Sequence, residues 1–265
     1  MPRLLLVAAL LFSVTASAAR VPWTGRKTVV KVSLDQERAL AADLAEALLA
    51  ESTTLADERS EILERVVTRL ARHVPGKADQ VDWRASLVDS DEVVSYALSD
   101  GTVVVSAGLF AVLQTEAELA ALVAHDMAHV AARHGAERIT GELLLTGLLT
   151  DDELSLADPS YGSSIAGAFG TGAALGVVLP FSRKHEDEAD LIALRLVATA
   201  GYDPSALGKA LDRLVEGFGD SGQLTWLSTH PSSAKRGTKL AEARPDAMKA
   251  YGKADMQYGH GLRLP

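Results

Sequence analysis

Apolar residues return at helical spacing early in the chain. After Ser33, residues Leu34, Leu40, Leu44, Leu48 and Leu49 recur with polar residues between them, and Ile62, Leu63, Val66, Val67 and Leu70 form a second stripe that ends before Pro75-Gly76. Two helices are therefore expected between residues 33 and about 74. The period then shortens to β-branched and apolar runs at 83–88, 93–98 and 102–106, and Asp100-Gly101 between the last two is the dipeptide of a tight hairpin. After the hairpin the helical period resumes. Thr115 with Glu118 three residues later has the capping-box arrangement, placed just ahead of Leu119, Leu122, Val123, Met127 and Val130. Further helices are expected from Arg183 to about Ala200, stopped by Gly201, and again after Asp203-Pro204. The pattern predicts a mainly α fold with a small β-sheet (α+β). It reads as one domain over residues 19–265, with N-terminal helices at about 33–74, a core at about 75–240, and a C-terminal helix and tail at 241–265.

Two apolar stretches fall outside this periodicity. At the start, a basic Arg3, an apolar run from Leu4 to Val14 and the small-residue ending Ala16-Ser17-Ala18 read as a secretory signal peptide over residues 1–18, which sets the expected destination as periplasmic or secreted. The run is 11 residues long, against roughly 20 for a bilayer span. Residues 162–181 carry no charge, are rich in glycine and alanine, and are interrupted by Pro180. A close-packed buried helix accounts for that composition, so no stable membrane span is expected in the mature chain.

Composition narrows the chemistry. Of 265 residues 48% are hydrophobic and 23% charged, enough apolar surface for a sizeable core. The formal charge of −9 is the wrong sign for tracking phosphate backbones, which excludes nucleic acid as a partner. The chain has no cysteine, so a lipid anchor on cysteine, disulfides and thiolate metal sites are all excluded, and any metal must be held by nitrogen and oxygen.

His125-Asp126-Met127-Ala128-His129 places two imidazoles at i and i+4 on one helix face, close enough to share a metal ion, with the Asp126 carboxylate about 100° further round. Two histidines at this spacing also read as an ordinary pair in the core or on the surface. Glu186 and Asp190 form a second i, i+4 pair about 60 residues on. As a third ligand, a glutamate completes a zinc set, and an aspartate one turn later can accept the free N–H of a ligand imidazole. An acidic solvated face is the other reading, and it suits Asp187 and Glu188 better.

Several ordered segments together resemble the HtpX-like zinc metallopeptidases, relatives of the CAAX prenyl endopeptidases, and in particular their soluble exported bacterial branch. They are the hairpin from Val93 through Gly108-Leu109, the stretch Glu118 to Gly135, the run Phe181-Ser182-Arg183-Lys184-His185-Glu186-Asp187-Glu188-Ala189-Asp190, then Gly201-Tyr202-Asp203-Pro204, and Ser228-Thr229-His230-Pro231. The resemblance implies a gluzincin-type domain with an active-site helix and a substrate-binding edge strand. It implies one Zn(2+) per chain held by His125, His129 and Glu186, with water in the open fourth position. Asp126 would be the general base as zinc-activated water attacks a peptide carbonyl, Asp190 a supporting or proton-donating residue, and His230 a histidine near the zinc that can fill the open position at rest. Arg236 would steady an oxyanion, and Ser95-Tyr96-Ala97 would pair with extended substrate. The implied substrates are unfolded or misassembled envelope polypeptides, with the outer-membrane assembly machinery as a partner.

Two positions depart from that family: Ser95 stands where the family has asparagine, and Asp126 where it has glutamate. Aspartate keeps the acid–base chemistry but is one methylene shorter, retracting the carboxylate by roughly 1.5 Å. A zinc-binding protein with weakened catalysis, acting as an assembly factor or chaperone on bound polypeptide, is therefore the alternative to an active endopeptidase. Among the remaining histidines, His134 is expected at a helix end and His185 as a solvent-exposed neighbour of Glu186, while no chemistry is assigned to His73 or His260. Trp23, Trp83 and Trp226 are expected as core or loop anchors.

Overall fold

Capping boxes start the first two long helices. Ser33 Oγ accepts from Gln36 N while Gln36 Oε1 accepts from Ser33 N, opening α1 (Leu34–Ala50), and Asp57 with Ser60 does the same for α2 (Glu58–Ala71). The computed structural model describes residues 17–145, 181–218, 230 and 234–265. The signal-peptide stretch up to residue 16, the apolar run at 162–180, Trp226, and the residues flanking His230 lie outside the described residues. Ser17 and Ala18 are the first residues of β1 (Ser17–Arg20), which pairs antiparallel with β2 (Lys27–Val30), Ser17 opposite Val30.

β3 (Arg84–Val88), β4 (Ser95–Ala97) and β5 (Thr102–Ser106) form a three-stranded sheet in the order β3-β5-β4. β5 is central and wholly buried, parallel to β3 and antiparallel to β4. The expected hairpin is present. Gly101 at its turn has φ +98°, and a Cβ there would stand 2.2 Å from the Asp82 carbonyl oxygen, so only glycine fits. β4 is shorter than the apolar run at 93–98 suggests, because Ser106 ends the ladder by donating its hydroxyl to the Glu92 carbonyl and accepting from Val94 N.

After the short α3 (Ala107–Val112), α4 (Glu116–Ala131) begins at the Thr115–Glu118 capping box. Every residue from Glu116 to His129 is buried, because α4 is packed by α2, β4, α6 (Arg183–Thr199) and α7 (Ser205–Phe218). The acids of its first turn are compensated. Glu116 takes Arg65, Arg69 and the Tyr202 hydroxyl, and Glu118 takes Arg213 and Gln114 N. Both also sit at the positive end of the helix dipole. α5 (His134–Leu145) follows two residues after α4 ends. α8 (Ala234–Tyr251) packs along α6, and it starts seven residues earlier than the boundary at 241 read from the sequence.

The chain is therefore mainly α with a small sheet, and no described helix is long and apolar enough to cross a membrane. Gly201 ends α6 with φ +86°, and a Cβ on it would meet the Met256 carbonyl oxygen at 2.0 Å. Gly201→Ala is expected to lower the unfolding free energy by more than about 1 kcal/mol, read as a lower midpoint in guanidinium denaturation.

Candidate metal centre

α4 supplies two imidazoles one turn apart. His125 and His129 point Nε2 to the same place, 3.1 Å from each other, with ring centroids 4.8 Å apart. α6 brings Glu186 against both, Oε2 3.4 Å from His125 Nε2 and Oε1 3.4 Å from His129 Nε2. The ring of His230 lies 5.1 Å from that of His125 and 5.3 Å from that of His129. One donor atom from each of these four buried residues falls within 4.8 Å of the others.

Both Glu186 oxygens are buried and accept no hydrogen bond. A carboxylate removed from water on those terms is costly unless a cation faces it, and the Nε2 atoms of both α4 histidines face the same point. The donor set of imidazole nitrogens and one carboxylate fits zinc, the cofactor of the family to which the sequence points. Without a metal the site balances its own charge. Burial opposes charge on His125, but Asp190 and Glu186 outweigh it and raise its pKa to about 9. Burial holds His129 well below the usual histidine range. Burial alone would raise Glu186, yet His125 and His129 keep it well below the usual carboxylate range.

Behind His125 stands Asp190, whose Oδ1 is 3.0 Å from Nδ1. Arg236 grips that aspartate with both arms, Nε to Oδ2 at 2.5 Å and Nη2 to Oδ1 at 2.8 Å, and its Nη1 lies 3.3 Å from Glu186 Oε2. The resemblance gave Arg236 an oxyanion role, and the structure places it against Asp190 and Glu186. Its guanidinium is buried against two carboxylates, so its geometry holds Asp190 and Glu186 in place.

Asp126 reaches the same centre from α4. Its Oδ2 accepts from Ser95 Oγ at 2.5 Å, and its Oδ1 is 3.6 Å from His230 Nε2. The two positions that depart from the resembled family thus touch each other. Ser95 is fully buried, while Tyr96 and Ala97 are half-buried in β4, the edge strand alongside α4. Burial, with Asp126 and Glu92 nearby, pushes the Tyr96 phenol up to about 12.

Two expectations from the sequence are overturned, those for Glu188 and His185. Glu188 is buried, and it binds His134 Nε2 at 3.0 Å, Arg26 Nε at 2.6 Å and Thr24 Oγ1 at 2.5 Å. Its partners hold it down to about 2 against a burial that would raise it. His134 begins a helix as expected, yet it is fully buried with its Nδ1 3.0 Å from His129 Nδ1. Burial lowers its pKa to about 4. His185 is only 12% exposed and stacks on His134 at 4.3 Å. Phe181 stacks on His129 at 3.9 Å. Asp187 does remain half-exposed, paired with Lys239. Trp83 anchors a loop through Nε1 to the Ala78 carbonyl, and Trp23 lies under the Arg195 guanidinium. Neither His134 nor Glu188 stood out in the sequence. Five residues after a ligand is off the ligand face of a continuous helix, and two residues after Glu186 is nearly opposite it.

Comparison with known proteins gives the same reading. The model of peptidase family M48 matches residues 57–244. The mitochondrial metalloendopeptidase OMA1 of Schizosaccharomyces pombe is 33% identical over 238 residues, covering 86% of this chain and 66% of that protein. OMA1 of Arabidopsis thaliana is 38% identical over 164 residues, 62% of this chain and 32% of that protein. The beta-barrel assembly-enhancing protease of Yersinia pestis is 29% identical over 249 residues, 89% of this chain and 49% of that protein. The chain thus spans about a third to two thirds of the length of these relatives.

If Arg236 holds Asp190, Arg236→Leu leaves a buried aspartate short of its cation. The expected cost is about 3–5 kcal/mol, read as a lower melting temperature of the metal-free protein. A residue reserved for substrate would leave that temperature unchanged.

Proposed function

The chain belongs to peptidase family M48, and from that premise we propose that it is a zinc-dependent metalloendopeptidase whose metal is held by His125, His129 and Glu186, with His230 beside them. The observation that carries this reading is the buried Glu186 carboxylate, which accepts no hydrogen bond and faces the Nε2 atoms of both α4 histidines. The metalloendopeptidase names of the relatives support it.

Zinc bound there supplies Lewis acidity toward a peptide carbonyl and acidifies water. The chain's residues do the rest. Asp126 Oδ1 takes the proton of the attacking water and returns it to the leaving amine, while Ser95 holds Oδ2. Asp190 keeps the Nδ1–H of His125 and so aims its Nε2, and Arg236 keeps Asp190 in place. Extended polypeptide adds to the edge of β4 at Ser95, Tyr96 and Ala97, which sets the scissile bond beside α4. His230, with its Nε2 3.6 Å from Asp126 Oδ1, would offer the metal a further nitrogen at rest.

The finer reading is of an exported enzyme, periplasmic or secreted after loss of residues 1–18, acting on unfolded or misassembled envelope polypeptides in company with the outer-membrane assembly machinery. The basic, apolar and small-residue order of the first 18 residues supports export, and a relative is named a beta-barrel assembly-enhancing protease. One observation favours a second reading. Asp126 is one methylene shorter than the glutamate of the H-E-x-x-H motif, and a misplacement of about 1 Å can cost on the order of a hundredfold in rate. A zinc-bound, catalytically weakened binder of extended chains has the same metal and the same fold.

Zinc content and casein hydrolysis of the mature chain, with and without a chelator and beside His129→Ala, test the proposal. The expected result is one zinc per chain, chelator-sensitive cleavage, and loss of both in the variant. Stoichiometric zinc without cleavage supports the binder, and no zinc contradicts both. Asp126→Glu separates the readings further. It is expected to raise hydrolysis while leaving zinc content unchanged, whereas a slower variant shows a site built around the shorter side chain.

A further inference from the structure

The hydrogen bonds behind His129 continue in a line to the N-terminal turn. His129 Nδ1 faces His134 Nδ1 at 3.0 Å, His134 Nε2 faces Glu188 Oε2 at 3.0 Å, and Glu188 is held by Arg26 Nε and Thr24 Oγ1. The other arms of Arg26 are fixed by Glu137 at 2.9 and 2.7 Å. His129, His134 and Glu188 are all buried.

With His134 neutral, the hydrogens along this line have one consistent placement. A carboxylate only accepts, so the hydrogen between Glu188 and His134 sits on His134 Nε2. Two Nδ1 atoms 3.0 Å apart cannot both carry hydrogen, so one donates and the other accepts. If His134 Nδ1 accepts, its hydrogen count is complete with Nε2–H, and His129 carries Nδ1–H. His129 Nε2, which faces Glu186 and His125, is then left with its lone pair.

The backbone is bent to make the contact. On a continuous helix the fifth residue after His129 would point roughly 140° away from it. α4 ends at Ala131 instead, and Arg133 takes φ +57°, an uncommon conformation for a residue with a side chain. That turn is held by Arg133 Nε on Glu37 at 2.8 Å and Nη2 on the Val32 carbonyl at 2.7 Å. It carries His134 back against the ring of His129, their centroids 4.9 Å apart.

We infer that His134 and Glu188 are positioning residues that hold His129 with hydrogen on Nδ1 and aim its Nε2 lone pair at the metal, with Arg26 and Thr24 fixing Glu188. This rests on the zinc site proposed above. Asp190 gives His125 the same service directly, so each α4 histidine has its own acceptor on α6, one through a carboxylate and one through an imidazole.

The test is the zinc dissociation constant of the full chain, measured by competition with a chromogenic chelator for wild type, His134→Phe and Glu188→Gln. The metal-free melting temperature of each is taken alongside. Zinc affinity is expected to fall about 10–100-fold in His134→Phe and about tenfold in Glu188→Gln, which keeps the size and one acceptor oxygen. Nitrogen-15 histidine spectra of the zinc-loaded wild type should place the His129 hydrogen on Nδ1, a readout independent of whether either variant folds. Folded variants with unchanged zinc affinity overturn the inference and leave the zinc site standing, whereas a His129 hydrogen on Nε2 overturns the inference and the Nε2 coordination on which the site rests. A wild type that binds no zinc overturns the site and this inference with it.

Discussion

Glu186 is the constraint on which the rest of the fold depends. A carboxylate with both oxygens out of water and no hydrogen bond accepted is tolerated only where positive charge or ring nitrogens are brought to it, and the described residues bring these from three sides. α4 delivers two imidazoles, α8 delivers Arg236, and His230 closes the remaining side. Such an arrangement needs walls that do not move. That is why α4 is buried along nearly its whole length rather than along one stripe, and why α6 lies against it with small and branched side chains such as Ala189, Ile192 and Ala193.

The same logic governs the charges further out. Asp190, Glu188, Glu116 and Glu118 are all buried, and each has an arginine within hydrogen-bonding distance. Those arginines come from α8, the N-terminal turn, α2 and α7, so the compensating charges also tie distant segments to the two central helices. Metal site and fold are in this sense one object. The hydrogen bonds that orient His125 and His129 are those that fix the N-terminal turn and α8 on α6.

Much of this was legible in the sequence. The hairpin at Asp100-Gly101, the cap at Thr115 and the stop at Gly201 are local signals with a local cause, and they hold. The i, i+4 pairs His125/His129 and Glu186/Asp190 also read directly, because helical periodicity puts each pair on one face. What could not be read depends on where the chain bends or which helix lies opposite. His134 reaches His129 only because Arg133 is left-handed, and the left-handed position itself is neither glycine nor asparagine. Glu188 resembles a solvated acid until the N-terminal turn is folded over it. That Arg236 pairs with Asp190 depends on how α8 lies against α6, which no local pattern announces.

The most direct test of the central claim is a crystal structure of the zinc-loaded chain with data collected at the zinc absorption edge. The account predicts one anomalous peak among His125 Nε2, His129 Nε2 and a Glu186 oxygen, at about 2.0–2.2 Å from each. A peak elsewhere in the molecule, or coordination through Nδ1 of either α4 histidine, would contradict it.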